Sequence, residues 1–231
     1  MIIKGFQKLT LVDYPKKLAA LIFLPFCNFK CGYCYNTPLW EDDFSIPDIT
    51  EEEVLEFMKS RVDKLDALAI TGGEPLLHKD LPEFVRKVKD LGFLVKIDTN
   101  GTNPVMLKKL IDERLVDYVA MDVKAPLYKY EKVVGVKADT EAIQKSIQIL
   151  KESSIDYEFR TTVLPCLQSK ADLLEIAGLL KGSKKLALQQ FTAFEGVKDK
   201  KLCNEEKYNK DDLEEIKKEV EPFFDEVVIR I

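Results

Sequence analysis

The sequence predicts an α/β fold: a partial, open (β/α)6 barrel, an incomplete form of the TIM barrel. Three observations predict it. Apolar runs of strand length alternate with helical patterns through six units in series, which implies parallel strands joined by right-handed crossovers. The chain has 231 residues, short of the ~250 that eight units typically need. Several of the strand runs are also polar at every second residue. A flat parallel sheet covered on both faces reads apolar throughout, whereas a barrel lumen that holds a polar ligand calls for alternation, because successive side chains point to opposite faces.

The elements follow in order. A hairpin-like opening over residues 2–12 comes first, and the first barrel strand is expected at 18–24. The following helix starts at Thr50, with Glu53 completing a capping box. The second strand, 65–71, leads to a helix start at Asp80 and Glu83 with the same spacing. The third strand, 94–99, alternates Lys96, Asp98 and Asn100 with Val95, Ile97 and Thr99. In the fourth, 118–122, Asp122 and the following Lys124 share one face. Thr140, with Glu141 in its first turn, opens the next helix. The fifth strand, 156–163, sets Glu158, Arg160 and Thr162 against Tyr157, Phe159, Thr161 and Val163. Ser169 with Asp172, and Asn209 with Asp212, mark the last two helix starts, flanking a sixth strand at 185–190. A final strand is expected at 226–230. Glu74, Asp98, Asp122, Lys124, Glu158 and Arg160 are therefore expected to point into one cavity at the C-terminal ends of the strands.

With 46% hydrophobic residues, the chain can bury a sizeable core. It is expected to form a single domain over residues 1–231 with a short N-terminal extension. Its 35 basic and 40 acidic residues leave a net charge of −5, which argues against nucleic acid or an anionic membrane as partner. The longest apolar run, 18–26, is broken by Pro25 and falls short of the ~20 residues of a span. The opening residues do not resemble a signal peptide, so the expected location is cytoplasmic, where thiols stay reduced.

Of the five cysteines, three lie in one run directly after the first barrel strand: Cys27, Cys31 and Cys34, spaced Cys-x3-Cys-x2-Cys. An odd number with three crowded together points to a metal rather than a disulfide framework. Three thiolates on a short loop suit an iron–sulfur cubane and leave one iron open. Zinc is the competing reading, but a structural zinc site wants four ligands, and His78, Cys166 and Cys203 lie far off in sequence. At the end of the second strand stands Thr71-Gly72-Gly73-Glu74-Pro75. Its glycines let backbone approach a ligand, and Glu74 can accept from an ammonium group.

Cys27, Cys31 and Cys34 followed by Gly72-Gly73-Glu74-Pro75 resemble the radical S-adenosylmethionine superfamily. The likeness runs over nearly the whole chain to the activating enzymes of glycyl radical enzymes, through Asp98-Thr99-Asn100-Gly101, Met121-Asp122-Val123-Lys124 and Arg160-Thr161-Thr162-Val163. The opening Gly5-Phe6-Gln7-Lys8 and Leu11-Val12-Asp13-Tyr14-Pro15 is most similar to activating proteins of anaerobic ribonucleoside-triphosphate reductase. The resemblance implies that Cys27, Cys31 and Cys34 hold a 4Fe–4S cluster whose open iron chelates S-adenosylmethionine. It implies that Tyr33 lies against the adenine and that Gly72, Gly73 and Glu74 receive the methionine ammonium. Asp98, Asn100, Asp122, Lys124 and Arg160 would line the rest of the cofactor pocket, and Asp98, Thr99 and Asp122 would be a monovalent cation site.

The implied reaction is reductive cleavage to a 5′-deoxyadenosyl radical that takes hydrogen from a glycine of a partner glycyl radical enzyme, with flavodoxin or ferredoxin as electron donor. The alternatives are a small nucleotide-derived metabolite as substrate, or a non-catalytic iron–sulfur or zinc protein. Two positions depart from the branch: Tyr35-Asn36 stands where His-Asn is usual, and Gln190-Phe191-Thr192 stands where one relative has a pocket histidine. The remaining cysteines form no second cluster motif. Trp40, Tyr128 and Tyr130 are expected to cover the core or anchor a partner.

Overall fold

The computed structural model describes residues 1–40, 45–193 and 196–231. One eight-stranded sheet runs in chain order: β1 (Gly5–Thr10), β2 (Ala19–Leu24), β3 (Ala67–Gly72), β4 (Leu94–Thr99), β5 (Tyr118–Asp122), β6 (Asp156–Val163), β7 (Ser183–Gln190) and β8 (Phe224–Arg230). β1 is antiparallel to β2, and β2 through β8 are parallel. The crossovers hold α1 (Glu51–Lys59), α2 (Leu81–Asp90), α3 (Pro104–Asp112), α4 (Tyr130–Val134), α5 (Thr140–Glu152), α6 (Lys170–Leu180) and α7 (Lys210–Val220). The order starts at β1 and stops at β8 without joining them, so the barrel is open on one side, as its unit count predicts.

β4, β5 and β6 lie where the alternation puts them. β3 starts later than expected because Asp66 is taken up at the barrel floor, where its carboxylate accepts from Leu18 N at 2.8 Å. Ser169 and Asn209 each close a reciprocal capping box, with Asp172 and Asp212. Thr50 accepts from Glu53 N at 3.1 Å. Asp80 does not cap α2; its carboxylate faces the N-terminal ammonium of Met1 at 3.0 Å. The cap of α5 is Asp139, one residue ahead of Thr140, accepting from Ala142 N at 3.0 Å.

The two strand faces have separate tasks. Outward-facing Ile70, Val95, Ile97, Val119, Met121, Phe159 and Leu188 pack against helix residues such as Phe84, Val88, Leu107, Ile147 and Ile176 in one continuous apolar core. Burying each such side chain contributes about 1.5–3 kcal/mol, so this face fixes the strands and leaves the lumen free to be polar. The floor is closed by Tyr14, packed on Tyr118 with ring centroids 5.7 Å apart. Ala19, Ala67 and Ala120 around them are small enough to admit the two rings.

Candidate functional site

The C-terminal ends of the strands surround a cavity of ≈ 550 Å³. Cys27, Cys31, Cys34, Tyr33, Gly72, Gly73, Glu74, Asp98, Asn100, Asp122, Lys124 and Arg160 all line it. Glu158 does not; it lies buried beneath, with Arg230 covering it through two bonds of 3.0 and 2.6 Å. The alternation put Glu158 on the correct face, but a partner from β8 seals it off from the cavity.

The cysteine loop leaves β2 through Phe26, whose φ of +64° is left-handed and uncommon for a bulky side chain. Three braces hold the turn. Phe26 N donates to Leu39 O at 2.6 Å, Glu74 N donates to Phe26 O at 2.7 Å, and Lys30 N donates to Val134 O at 2.9 Å at the end of α4. The glycines have a packing job as well. A Cβ on Gly73 would stand 2.0 Å from Phe26 O, and one on Gly72 would stand 2.4 Å from Leu24 O. Their missing side chains let the Gly-Gly turn lie against the backbone that launches the cysteine loop. Asn36 ties the same parts from the other side, donating to Gly72 O at 3.2 Å.

The thiols of Cys27, Cys31 and Cys34 are free. Burial pushes Cys27 up to about 12 and raises Cys31 as well. A nucleophilic cysteine has the opposite shift, whereas a bound metal ionises its thiol ligands. Among the described residues no three His, Cys, Asp or Glu side chains gather tightly enough to share one metal ion. A cubane does not ask for that, because each thiolate takes its own iron. His78 is occupied elsewhere, with its Nε2 2.9 Å from Pro25 O. Cys166 is exposed, and neither it nor Cys203 lines the cavity.

Glu74 is buried at the junction of three loops. Its carboxylate accepts from Leu76 N at 3.1 Å, Thr99 Oγ1 at 2.7 Å and Asn100 N at 2.6 Å. Burial outweighs these donors and pushes the carboxyl up to about 7. Asn100 in turn donates from its side chain to Asn28 Oδ1 at 2.9 Å, so it braces the cysteine loop.

An ionic ladder crosses the lumen beside them. Asp98 accepts from Lys96, from Arg160 Nη1 at 3.1 Å and from Thr71 Oγ1 at 3.1 Å. Asp122 accepts from Arg160 Nε at 2.7 Å and from Lys124 Nζ at 3.0 Å. Burial alone would raise both carboxyls. Arg160, with Lys96 on one and Lys124 on the other, outweighs it and holds both below the usual range. All four carboxylate oxygens thus face a protein cation, and Thr99 Oγ1 is spent on Glu74. This donor set does not fit a monovalent cation.

Two buried polar atoms lack a hydrogen-bond partner among the described residues: the Tyr33 hydroxyl and Gln190 Oε1, both on residues in the cavity wall. Such orphans suit a wall built to meet a polar ligand. Tyr33 lies under Lys124, whose Nζ is 5.9 Å from its ring centroid. The two departures from the family pattern turn out to be neighbours. Tyr35 stacks on Phe191 at 6.0 Å, and its hydroxyl donates to Thr192 O and accepts from Thr192 N, both at 2.8 Å. They form one clasp over the cavity rim. Sequence reading also missed Thr71, Gln189 and Arg230 as lining residues. Gln189 and Arg230 are register partners at the ends of β7 and β8. Of the loop aromatics, Trp40 and Tyr130 are buried cover, while Tyr128 is exposed.

Residues 21–180 match the Radical SAM superfamily. A Methanocaldococcus jannaschii protein with the provisional name glycyl-radical enzyme activating enzyme is 37% identical over 99% of this chain and 95% of its own length. The GTP 3′,8-cyclase of Nautilia profundicola is 32% identical over 65% of this chain, which spans 49% of that enzyme. Among solved structures, Streptococcus suis SuiB bound to the precursor peptide SuiA superposes with a TM-score of 0.72 at 14% identity, over 91% of this chain and 48% of that one. Methylornithine synthase gives 0.65 at 16% identity, over 91% of this chain and 63% of that one. At such identities the structural likeness speaks for the fold. Among the described residues no helix is long and apolar enough to cross a membrane.

Proposed function

The chain belongs to the radical S-adenosylmethionine superfamily, and from that premise we propose that it abstracts a hydrogen atom from a glycine of a partner glycyl radical enzyme. Cys27, Cys31 and Cys34 would hold a 4Fe–4S cluster, which when bound supplies the electron that cleaves S-adenosylmethionine to methionine and a 5′-deoxyadenosyl radical. The observation that carries this reading is the meeting of the three thiols, the Gly72-Gly73-Glu74 turn and the ionic ladder around one cavity in a barrel open on one side. The near full-length relationship to the M. jannaschii protein supports the protein substrate.

Each side chain then has a task. Glu74 and the turn before it receive the ammonium of S-adenosylmethionine. Lys124 and the unspent donors of Arg160 meet its carboxylate and ribose, and Tyr33 lies against its adenine. The buried walls keep bulk water from the reacting carbon. The unpaired side between β1 and β8 admits a loop of the partner. A flavodoxin or ferredoxin is the electron donor in this reading, and residues 1–231 act as one domain. A second reading, a small nucleotide-derived metabolite as substrate, is favoured by the cyclase relative, although the chain spans only half of it.

The activase reading expects slow cleavage by the free enzyme and faster release of 5′-deoxyadenosine when the fitting partner is added. Equal rates with and without every glycyl radical enzyme of the source organism would count against it. The Glu74 carboxyl gives a pH signature. Its folded value of about 7 lies above the 4.5 of an ordinary glutamate, so the folded protein binds the extra proton between the two, and stability falls as pH rises through that window. Only the ionised form attracts an ammonium. Affinity for S-adenosylmethionine should therefore weaken by roughly tenfold per pH unit below about 7. Calorimetric titration at pH 6 and pH 8 checks this; equal affinities would remove Glu74 from the ammonium site.

A further inference from the structure

Trp40 is the protein's single tryptophan, and it is almost wholly buried beside the cysteine loop. A buried indole N–H usually finds an oxygen acceptor. Here Nε1 donates to Cys34 Sγ at 3.1 Å. The same sulfur accepts from Asn36 N at 3.3 Å. Cys27 accepts from Phe29 N at 3.4 Å, a backbone donor that any sequence would supply. The Trp40 bond, by contrast, depends on a side chain. A neutral thiol is a weak acceptor, so a buried N–H aimed at it is matched far better to a thiolate.

Two cations bear on the same ring. Lys30 Nζ lies 5.0 Å and Lys198 Nζ 5.4 Å from its centroid. Lys30 also donates to Trp40 O at 3.5 Å. Lys198 arrives on a distant stretch of chain fastened to the cysteine loop, with Asp199 N donating to Gly32 O at 2.8 Å and Thr37 Oγ1 to Gly196 O at 3.0 Å. Cations over the ring polarise the indole and make its N–H a stronger donor.

Hydrogen bonds to the sulfurs and net charge set the potential of a thiolate-held cluster. Taking up one electron adds negative charge at the sulfurs, and a donor there favours the reduced state. We infer that Trp40 is a positioning residue that acts through Cys34: its N–H, backed by Lys30 and Lys198, raises the reduction potential of the cluster site so that a cellular one-electron donor can reach it. No bond forms or breaks at Trp40. The inference rests on the cluster reading above.

The test uses full-length protein reconstituted anaerobically with iron and sulfide. Because the chain has one tryptophan, 15N-indole labelling marks Trp40 alone. Pulsed electron paramagnetic resonance of the dithionite-reduced protein should show a 15N coupling carried across the N–H···S bond. Trp40→Phe keeps an aromatic ring and removes the donor; it should keep its iron while its midpoint potential, from a dye-mediated redox titration, moves to a more negative value. If Trp40→Phe fails to assemble, the labelled wild-type protein still decides. A fully loaded wild type with no 15N coupling, or a loaded Trp40→Phe that titrates at the wild-type potential, overturns the Trp40 assignment alone. Wild-type protein that takes up no iron overturns the cluster reading instead.

Discussion

Replacing any one of Cys27, Cys31 or Cys34 by alanine is expected to reduce S-adenosylmethionine cleavage to background, with cluster assembly abolished or catalytically dead. The wild type should carry about four irons per chain after anaerobic reconstitution, as a cubane requires. Each thiolate takes a different iron, so no one of them can stand in for another. Cys203→Ala should keep both iron and activity, since Cys203 does not line the cavity. Iron analysis and 5′-deoxyadenosine release read the outcome. A Cys203 variant that loses its iron, or a site that fills with zinc under iron reconstitution, would contradict the assignment.

The second large effect is expected at Arg160. Its guanidinium lies between two carboxylates, bonded to Asp122 at 2.7 Å and to Asp98 at 3.1 Å. Arg160→Ala takes the shared partner from two half-buried acids in the cavity wall; breaking a fully buried ion pair costs about 3–5 kcal/mol, which is the upper bound here. The resulting repulsion also misplaces Lys124, so affinity for S-adenosylmethionine falls with stability. Arg160→Lys separates the two effects. It keeps a positive charge between the acids but lacks the planar fork that grips several oxygens at once, so it should recover much of the stability and little of the affinity. Urea melts and calorimetric binding check the pair of variants. A melt of Arg160→Ala within about 1 kcal/mol of wild type would show that the ladder carries little energy.

Much of this site was legible because strands write their two faces into sequence as a period of two. Lys96 with Asp98, Asp122 with Lys124, and Glu158 with Arg160 share the lumen face for that reason, with Ile97, Met121 and Phe159 turned outward. The cysteine spacing and the Gly-Gly-Glu turn were legible because each is a local pattern. What sequence could not supply were the pairings between distant segments. Arg230 reaches Glu158 across 72 positions, and Tyr35 reaches Thr192 across 157. Local chemistry also left roles ambiguous. Gly73 is needed for close approach, but what approaches is Phe26 O. Asp80 has the look of a cap, yet its carboxylate faces the N-terminal ammonium. The expected cation site is likewise filled by side chains, because Lys96, Lys124 and Arg160 reach its acids first.

The central claim is that the radical made at this site is delivered to a glycine of another protein. The most direct measurement is electron paramagnetic resonance of the reduced, reconstituted enzyme incubated anaerobically with excess S-adenosylmethionine and, one at a time, the glycyl radical enzymes of its source organism. One of those mixtures should develop the doublet of a glycine-centred radical, growing with 5′-deoxyadenosine release and absent without the activating chain. If none develops a doublet while a small molecule takes up deuterium from labelled 5′-deoxyadenosine, the substrate is that molecule and the account of a protein partner is wrong.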